Sequence, residues 1–260
     1  MSIFEAVILG IIQGFTEFLP ISSSGHLVVA QRIFNVENQM LSFEVTVHLG
    51  SLVAVFAVYW KEIYGLVKKP FQNVTYMLIA ATIPAVIAGL LFKRQIEALF
   101  EGGFLLAFSF IITGLLLLYS DNIKNGRKRG QDIRLPDSLV IGCMQAVAIM
   151  PGISRSGSTL TAGLHQGLSR ETAARFSFLL SIPTILGAAV LILKDLAVSG
   201  EGVSFLPLLF GFLSAMLSGY LSIRFMLNII KKYKLRYFGY YVFAMAGFIL
   251  SDVFIMHRFF

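Results

Sequence analysis

Long apolar runs separated by short polar connections set the pattern of this chain. Six runs are long enough to span a bilayer, which takes about 20 mostly apolar residues: residues 43–60, 74–92, 104–119, 176–193, 203–223 and 237–256. The last carries one acid, Asp252. The first carries Glu44 and His48, which share a helix face and are expected to make a hydrogen bond within the bundle. Ser169 reads as the N-cap of the helix that runs through Phe176.

Two further apolar regions are not simple spans. Residues 2–19 are interrupted by Glu5, Gln13 and Glu17 and stop at Pro20; residues 138–150 are short and stop at Pro151. A Ser/Gly-rich stretch follows each, and then a second short helical piece, near 27–34 and 160–168. Half-helix, polar break, half-helix is the pattern of a re-entrant hairpin. Irregular backbone at membrane depth is tolerated only where protein or a water-filled cavity surrounds it, so both breaks are candidate sites.

Composition strengthens this reading. The chain is 57% hydrophobic and 13% charged, against about 25% charged in soluble domains. Mean hydropathy is +0.79. Together these indicate a single membrane domain, 1–260. The net charge of +7 does not point to nucleic acid, because the basic residues cluster in short connections. If each hairpin enters and leaves on one side, connections 61–73, 121–136, 168–171 and 230–236 share a face that carries thirteen Lys and Arg. The opposite face has five, Arg32, Lys93, Arg94, Lys194 and Arg258. The positive-inside rule makes the first face cytoplasmic and puts both termini outside. Residues 2–19 have no basic n-region and Glu5 interrupts them, so they do not read as a cleaved signal. A lone cysteine, Cys143, excludes an intrachain disulfide framework and a multi-Cys metal site.

A shift of 132 residues aligns the two hairpins: Gly10 with Gly142, Gln13 with Gln145, and Ile21, Ser22, Ser24 and Gly25 with Ile153, Ser154, Ser156 and Gly157. The predicted fold is therefore an all-α polytopic membrane protein with six spanning helices and two re-entrant hairpins. Pseudo-repeats 1–120 and 133–260 are joined by the basic cytoplasmic loop 121–136. Three spans per half invert the second half relative to the first, and inverted repeats with broken helices place their sites near the midplane.

The aligned breaks differ in chemistry. Ser23 faces Arg155 in the alignment, Glu17 faces Ile149, and His26 faces Ser158. One half offers an acid, hydroxyls and an imidazole; the other offers a cation among Ser154, Ser156, Ser158 and Thr159. An arginine at membrane depth costs roughly 2.5–3.5 kcal/mol on insertion scales, and its guanidinium matches phosphate in a two-point fork. The alternatives are an arginine that snorkels to the cytoplasmic face or a purely structural ion pair with Glu17. Gln13 and Glu17 share a helix face. Glu17 is a candidate general base, partner of Arg155 or ligand of a hard divalent cation. Ser23 and His26 are candidate nucleophile and base, with attack by His26 or by water also open.

Gln-Gly-Phe-Thr-Glu-Phe-Leu-Pro-Ile-Ser-Ser-Ser-Gly-His, 13–26, resembles the first signature of the undecaprenyl-diphosphate phosphatase family, the bacitracin-resistance proteins. Pro-Gly-Ile-Ser-Arg-Ser-Gly-Ser-Thr, 151–159, resembles the second. The resemblance covers the whole chain in order and length. It implies hydrolysis of a C55 prenyl diphosphate to the monophosphate carrier and inorganic phosphate in a bacterial plasma membrane, and with it bacitracin resistance. It maps catalytic roles onto Glu17, Ser23, His26 and Arg155, and substrate binding onto Gln13, Ser22, Ser24, Gly25, Ser154, Ser156, Gly157 and Thr159. It also implies a divalent cation, Mg²⁺ or else Ca²⁺, at Glu17, and a site open to the outer face. With Gln where the family also shows Glu, position 13 leaves one carboxylate rather than two. The implied partners are the polyprenyl diphosphate and membrane lipids, with a homodimer admitted and nucleic acid excluded. A lipid flippase or transporter using the same repeat is the rival reading. The Lys-x₆-Arg-Pro motif of the unrelated acid-phosphatase-like lipid phosphatases is absent.

Overall fold

A computed structural model describes residues 1–36, 40–92, 95, 103–199 and 204–260, with side chains described except at 40, 41 and 191–199. The elements are helical: α1 Ile3–Phe18, α2 Ser23–Phe34, α3 Met40–Val58, α4 Trp60–Lys68, α5 Asn73–Leu91, α6 Gly103–Asn122, α7 Leu135–Val147, α8 Arg155–His165, α9 Arg170–Ser199, α10 Phe205–Lys232 and α11 Arg236–Ser251. A π-helical turn, Asp252–Met256, extends α11. The single β-bridge among the described residues joins Lys128 to Leu168.

Among the described residues, five helices are long and apolar enough to cross a membrane: α5, α6, α9 to Val190, α10, and α11 with its π turn. A sixth span is α3 only if it is joined to α4, across a bend of 82°. This corrects the sequence reading, which carried the first span to residue 60 and left 61–73 as connection. The chain turns sharply after Val58. The resulting α4 has no buried residue and presents Trp60, Tyr64 and Val67 outward beside Lys61 and Lys68. Aromatic and basic side chains on one short helix suit a membrane–water interface. Lys93 and Arg94 lie outside the described residues, as does the Lys194 side chain.

Local chemistry sets the boundaries near the breaks. Ser2 and Glu5 cap α1 reciprocally, with Ser2 N to Glu5 Oε2 at 2.7 Å and Glu5 N to Ser2 Oγ at 3.2 Å. Pro20 cannot continue the helix and α1 ends at Phe18. Ser22 Oγ then accepts from Gly25 N at 3.3 Å, so α2 begins at Ser23, four residues earlier than the apolar pattern suggests. The second break repeats the arrangement: Ser154 Oγ accepts from Gly157 N at 3.1 Å and α8 begins at Arg155. Ser169 Oγ accepts from Thr172 N at 3.2 Å, the expected N-cap of α9.

The four basic connections meet on one face. Asp121, whose side chain is buried, accepts from Leu235 N, Arg236 N and Arg236 Nε at 2.9–3.0 Å and lies 3.6 Å from Arg170. Asn73 donates to the carbonyls of Gln131 and Ile133. At the other end, the Asp252 carboxylate accepts from the backbone N–H groups of Arg258, Phe259 and Phe260. Arg32 donates to Phe259 O at 3.2 Å and sits 4.3 Å over the Phe260 ring. The acid in the last span is therefore a cap for residues 258–260.

α1 packs along α10, α5 along α7, and α6 along α11. Small residues permit the first contact. A Cβ on Gly14 would lie 2.4 Å from the Ala215 carbonyl oxygen, which is backbone and cannot swing aside. Overpacking of this kind costs about 1–3 kcal/mol, so Gly14→Ala is expected to lower the melting temperature of the detergent-solubilised protein. An unchanged melting temperature would show that α1 does not sit this close to α10.

Candidate active site

The two breaks face each other across a cavity of about 290 Å³. Its polar lining is Thr16 and Glu17 from α1, Ser22, Ser23 and Ser24 from the first break and α2, Glu44 and His48 from α3, Gln145 from α7, Ser154 and Arg155 from the second break and α8, and Thr184 from α9. Apolar side chains such as Leu27, Ile149 and Ile185 complete the wall. α2 and α8 both start at this cavity, so the positive ends of two helix dipoles converge on it, an arrangement that favours an anion.

Glu17 is the centre of the bonding. Its side chain is 5% exposed. Oε1 accepts from Arg155 Nη2 at 2.7 Å, across 138 positions of sequence. Oε2 accepts from Gln13 Nε2 at 2.9 Å and from Ser23 Oγ at 2.5 Å. His48 Nε2 stands 3.8 Å from the same oxygen. Buried charge at this depth needs a partner, and Glu17 and Arg155 supply one another. The remaining guanidinium nitrogens of Arg155, Nε and Nη1, have no partner among the described residues. An edge of the fork therefore stays open beside the serine hydroxyls.

The structure brings Gln13, Glu17, Ser23 and Arg155 into one bonded cluster, with Ser22, Ser24 and Ser154 on the same wall. It aims the other sequence candidates elsewhere. Ser156 Oγ donates to Leu19 O at 2.9 Å and ties one break to the other. Thr159 Oγ1 donates to Arg155 O at 2.8 Å and meets Ser177 Oγ at 2.6 Å. Gly25 lies against the Phe110 ring, and Gly157 against Pro20. These four shape the breaks rather than line the cavity. His26 does not line it either, since both its ring nitrogens are engaged away from Ser23. Thr113 from α6 fixes the second break, donating to Gly152 O and accepting from Ser154 N, each at 3.0 Å. Gly152 has a φ of +87°, and a Cβ there would meet Ser109 at 2.7 Å.

Glu44 and His48 are the residues sequence reasoning undervalued. The expected bond into the bundle is made by Glu44, whose Oε1 accepts from Gln31 Nε2 of α2 at 3.4 Å; His48 Nδ1 bonds back to the Glu44 carbonyl within α3 at 2.7 Å, and both side chains also line the cavity. Their spacing at the head of an apolar helix was the available signal.

Fold and site together define a multi-pass helical membrane protein with a cavity lined by carboxylate, hydroxyl and guanidinium groups and suited to a phosphate headgroup. Comparison with known proteins specifies it further. The profile of the family described as bacitracin resistance protein BacA matches residues 6–248, and the chain belongs to that family. An undecaprenyl-diphosphatase of Carboxydothermus hydrogenoformans is 47% identical over 253 residues, 96% of this chain and 97% of the relative. Undecaprenyl-diphosphatase 3 of Bacillus cereus (strain ATCC 10987 / NRS 248) is 45% identical over 96% of this chain and 97% of its own. An undecaprenyl-diphosphatase of Methanobrevibacter smithii is 42% identical over 93% of this chain and 94% of its own.

Proposed function

We propose that this protein is an integral membrane phosphatase that hydrolyses undecaprenyl diphosphate to undecaprenyl phosphate and inorganic phosphate, returning the cell-wall lipid carrier to use and conferring bacitracin resistance. The observation that carries the reading is the Ser23–Glu17–Arg155 cluster, assembled from two distant breaks inside an apolar bundle. Relatives at 42–47% identity bearing the name undecaprenyl-diphosphatase supply the substrate.

The diphosphate enters the cavity and its prenyl tail stays among apolar helices. Arg155 offers its open edge to the phosphoryl oxygens, and the α2 and α8 N-termini add positive potential. Ser23 Oγ attacks the terminal phosphorus as its proton passes to Glu17 Oε2. The bond from phosphorus to the bridging oxygen breaks, and the lipid monophosphate leaves with that oxygen, which takes the proton from Glu17. Water then attacks the phosphoserine, giving a proton to Glu17, and releases inorganic phosphate while Ser23 regains its proton. The 2.5 Å contact between Ser23 and Glu17 favours Ser23 as nucleophile over His26 or a free water. Gln13 Nε2 donates to the same carboxylate oxygen as Ser23, at 2.9 Å, and helps hold it in place.

A divalent cation, Mg²⁺ or Ca²⁺, fits as an aid to phosphate binding. No group of three or more His, Cys, Asp and Glu gathers among the described residues, so substrate phosphates would provide most of its ligands. Glu17 and the Gln13 Oε1 would hold it on the protein side; that oxygen is buried without a hydrogen-bond partner, and both are hard oxygen donors. When bound, the cation neutralises phosphate charge. Chelation is expected to lower phosphate release on the order of 10²-fold, with recovery on adding Mg²⁺ or Ca²⁺. Release unaffected by a chelator would remove the cation from the account.

We also read the architecture as an inverted repeat of two re-entrant hairpins. Three helix starts, Ile3, Ser23 and Asn73, recur 132 residues later at Leu135, Arg155 and Phe205. α1 packs on α10 as α7 packs on α5. The basic connections held around Asp121 support a cytoplasmic placement for that end, with both termini outside. The residues proposed for chemistry come from one chain, so a homodimer would pair two complete sites.

A further inference from the structure

His26 is held on every side, and the groups that hold it lead to α11. His26 Nδ1 lies 2.6 Å from the Ser22 carbonyl oxygen. A carbonyl only accepts, so Nδ1 carries the proton and Nε2 is the accepting nitrogen. Its donor is the Tyr241 hydroxyl, 2.8 Å away on α11. The two rings are stacked, 5.5 Å between centroids and 8° apart in plane. Phe110 of α6 closes the assembly edge-on at 5.3 Å. With 7% of its surface exposed, His26 has no open edge toward the cavity.

The atom that His26 holds belongs to a strained residue. Ser22 has a φ of +70°. A non-glycine residue in such a sparsely populated region costs about 1–3 kcal/mol and persists only where its surroundings over-determine it. The Ser22 carbonyl accepts from both His26 N and His26 Nδ1, and the Ser22 hydroxyl accepts from Gly25 N. The next residue is Ser23, whose Oγ rests on Glu17.

We propose that Tyr241 is a positioning residue for the phosphatase reaction: its hydroxyl fixes the His26 ring, and the ring holds the Ser22 carbonyl in the turn that aims Ser23 at Glu17. The inference rests on the phosphatase reading above and deepens it. It gives His26 a role that needs no attack on phosphorus and no proton transfer to substrate. It also makes α11, which contributes nothing to the cavity wall, part of the machinery.

The test is turnover of C55 diphosphate by purified protein with Tyr241→Phe, His26→Ala, His26→Asn and the double variant Tyr241→Phe/His26→Ala. Tyr241→Phe keeps the stacked ring and deletes one hydrogen bond, so kcat should fall about five- to tenfold with KM held within about a factor of two. The same change should have no further effect on top of His26→Ala, because the hydroxyl acts through that ring. His26→Asn keeps an amide donor where Nδ1 stood and should recover about tenfold or more over His26→Ala. Wild-type kcat in Tyr241→Phe, an undiminished loss in the His26→Ala background, or His26→Asn as slow as His26→Ala each overturns the positioning role while the wild type remains active. A wild type that releases no phosphate overturns the phosphatase reading and this one with it.

Discussion

Arg155→Ala is expected to lower phosphate release by about 10²–10³-fold, the usual effect of deleting one preorganised group that meets developing charge. The guanidinium has two duties, and the substitution removes both. It pairs with Glu17 Oε1 at 2.7 Å, and it presents its remaining nitrogens to the phosphate. Loss of the first leaves a buried carboxylate without its cation, a change that typically costs about 3–5 kcal/mol of stability when one partner of a buried pair is removed. Arg155→Lys separates the duties. A lysine ammonium restores a charge near Glu17 and so recovers stability, but it lacks the planar fork and should leave turnover at least about tenfold below wild type. Turnover in Arg155→Lys equal to wild type would show that only charge is needed; turnover in Arg155→Ala equal to wild type would remove Arg155 from the site.

Glu17→Gln should be still slower, by roughly 10²–10⁴-fold, because it removes the group proposed to take the Ser23 proton. The amide is nearly isosteric and can still meet Gln13, Ser23 and Arg155, so packing changes little; Arg155 loses its counter-charge but keeps a hydrogen-bond acceptor and is 15% exposed, so the stability cost should stay below that of Arg155→Ala. A large rate loss with small loss of stability would therefore identify the carboxylate as chemical rather than structural. A variant that folds poorly yet turns over normally per folded molecule would identify it as an anchor for Arg155 alone.

Much of this site was legible in the sequence because the chemistry and the fold share one signal. A bilayer forbids unsupported breaks, so the polar interruptions after Pro20 and Pro151 stood out against 57% hydrophobic composition. The offset between the hairpins set Ser23 opposite Arg155 and left a Glu17–Arg155 pair as one of several open alternatives; the structure forms that pair. Four features were less visible. The 82° turn into α4 follows an unbroken apolar run, so periodicity continued the span through it. Glu44 and His48 look like span-end polar residues until α3 packs beside α1. The aim of His26 depends on a local bond back to Ser22 and a tyrosine 215 positions away, neither of which residue spacing encodes. Similarly, Thr159 belongs to the second signature, but its hydroxyl faces Ser177 on α9.

The rival reading, a flippase or transporter, shares the cavity and the broken helices but not the bond-breaking step. Inorganic phosphate release from C55 diphosphate by the purified protein in detergent micelles separates the two, because micelles contain no compartments to transport between. The account predicts continuous turnover to undecaprenyl phosphate and equimolar inorganic phosphate. Tight binding of the diphosphate with no phosphate released would contradict it.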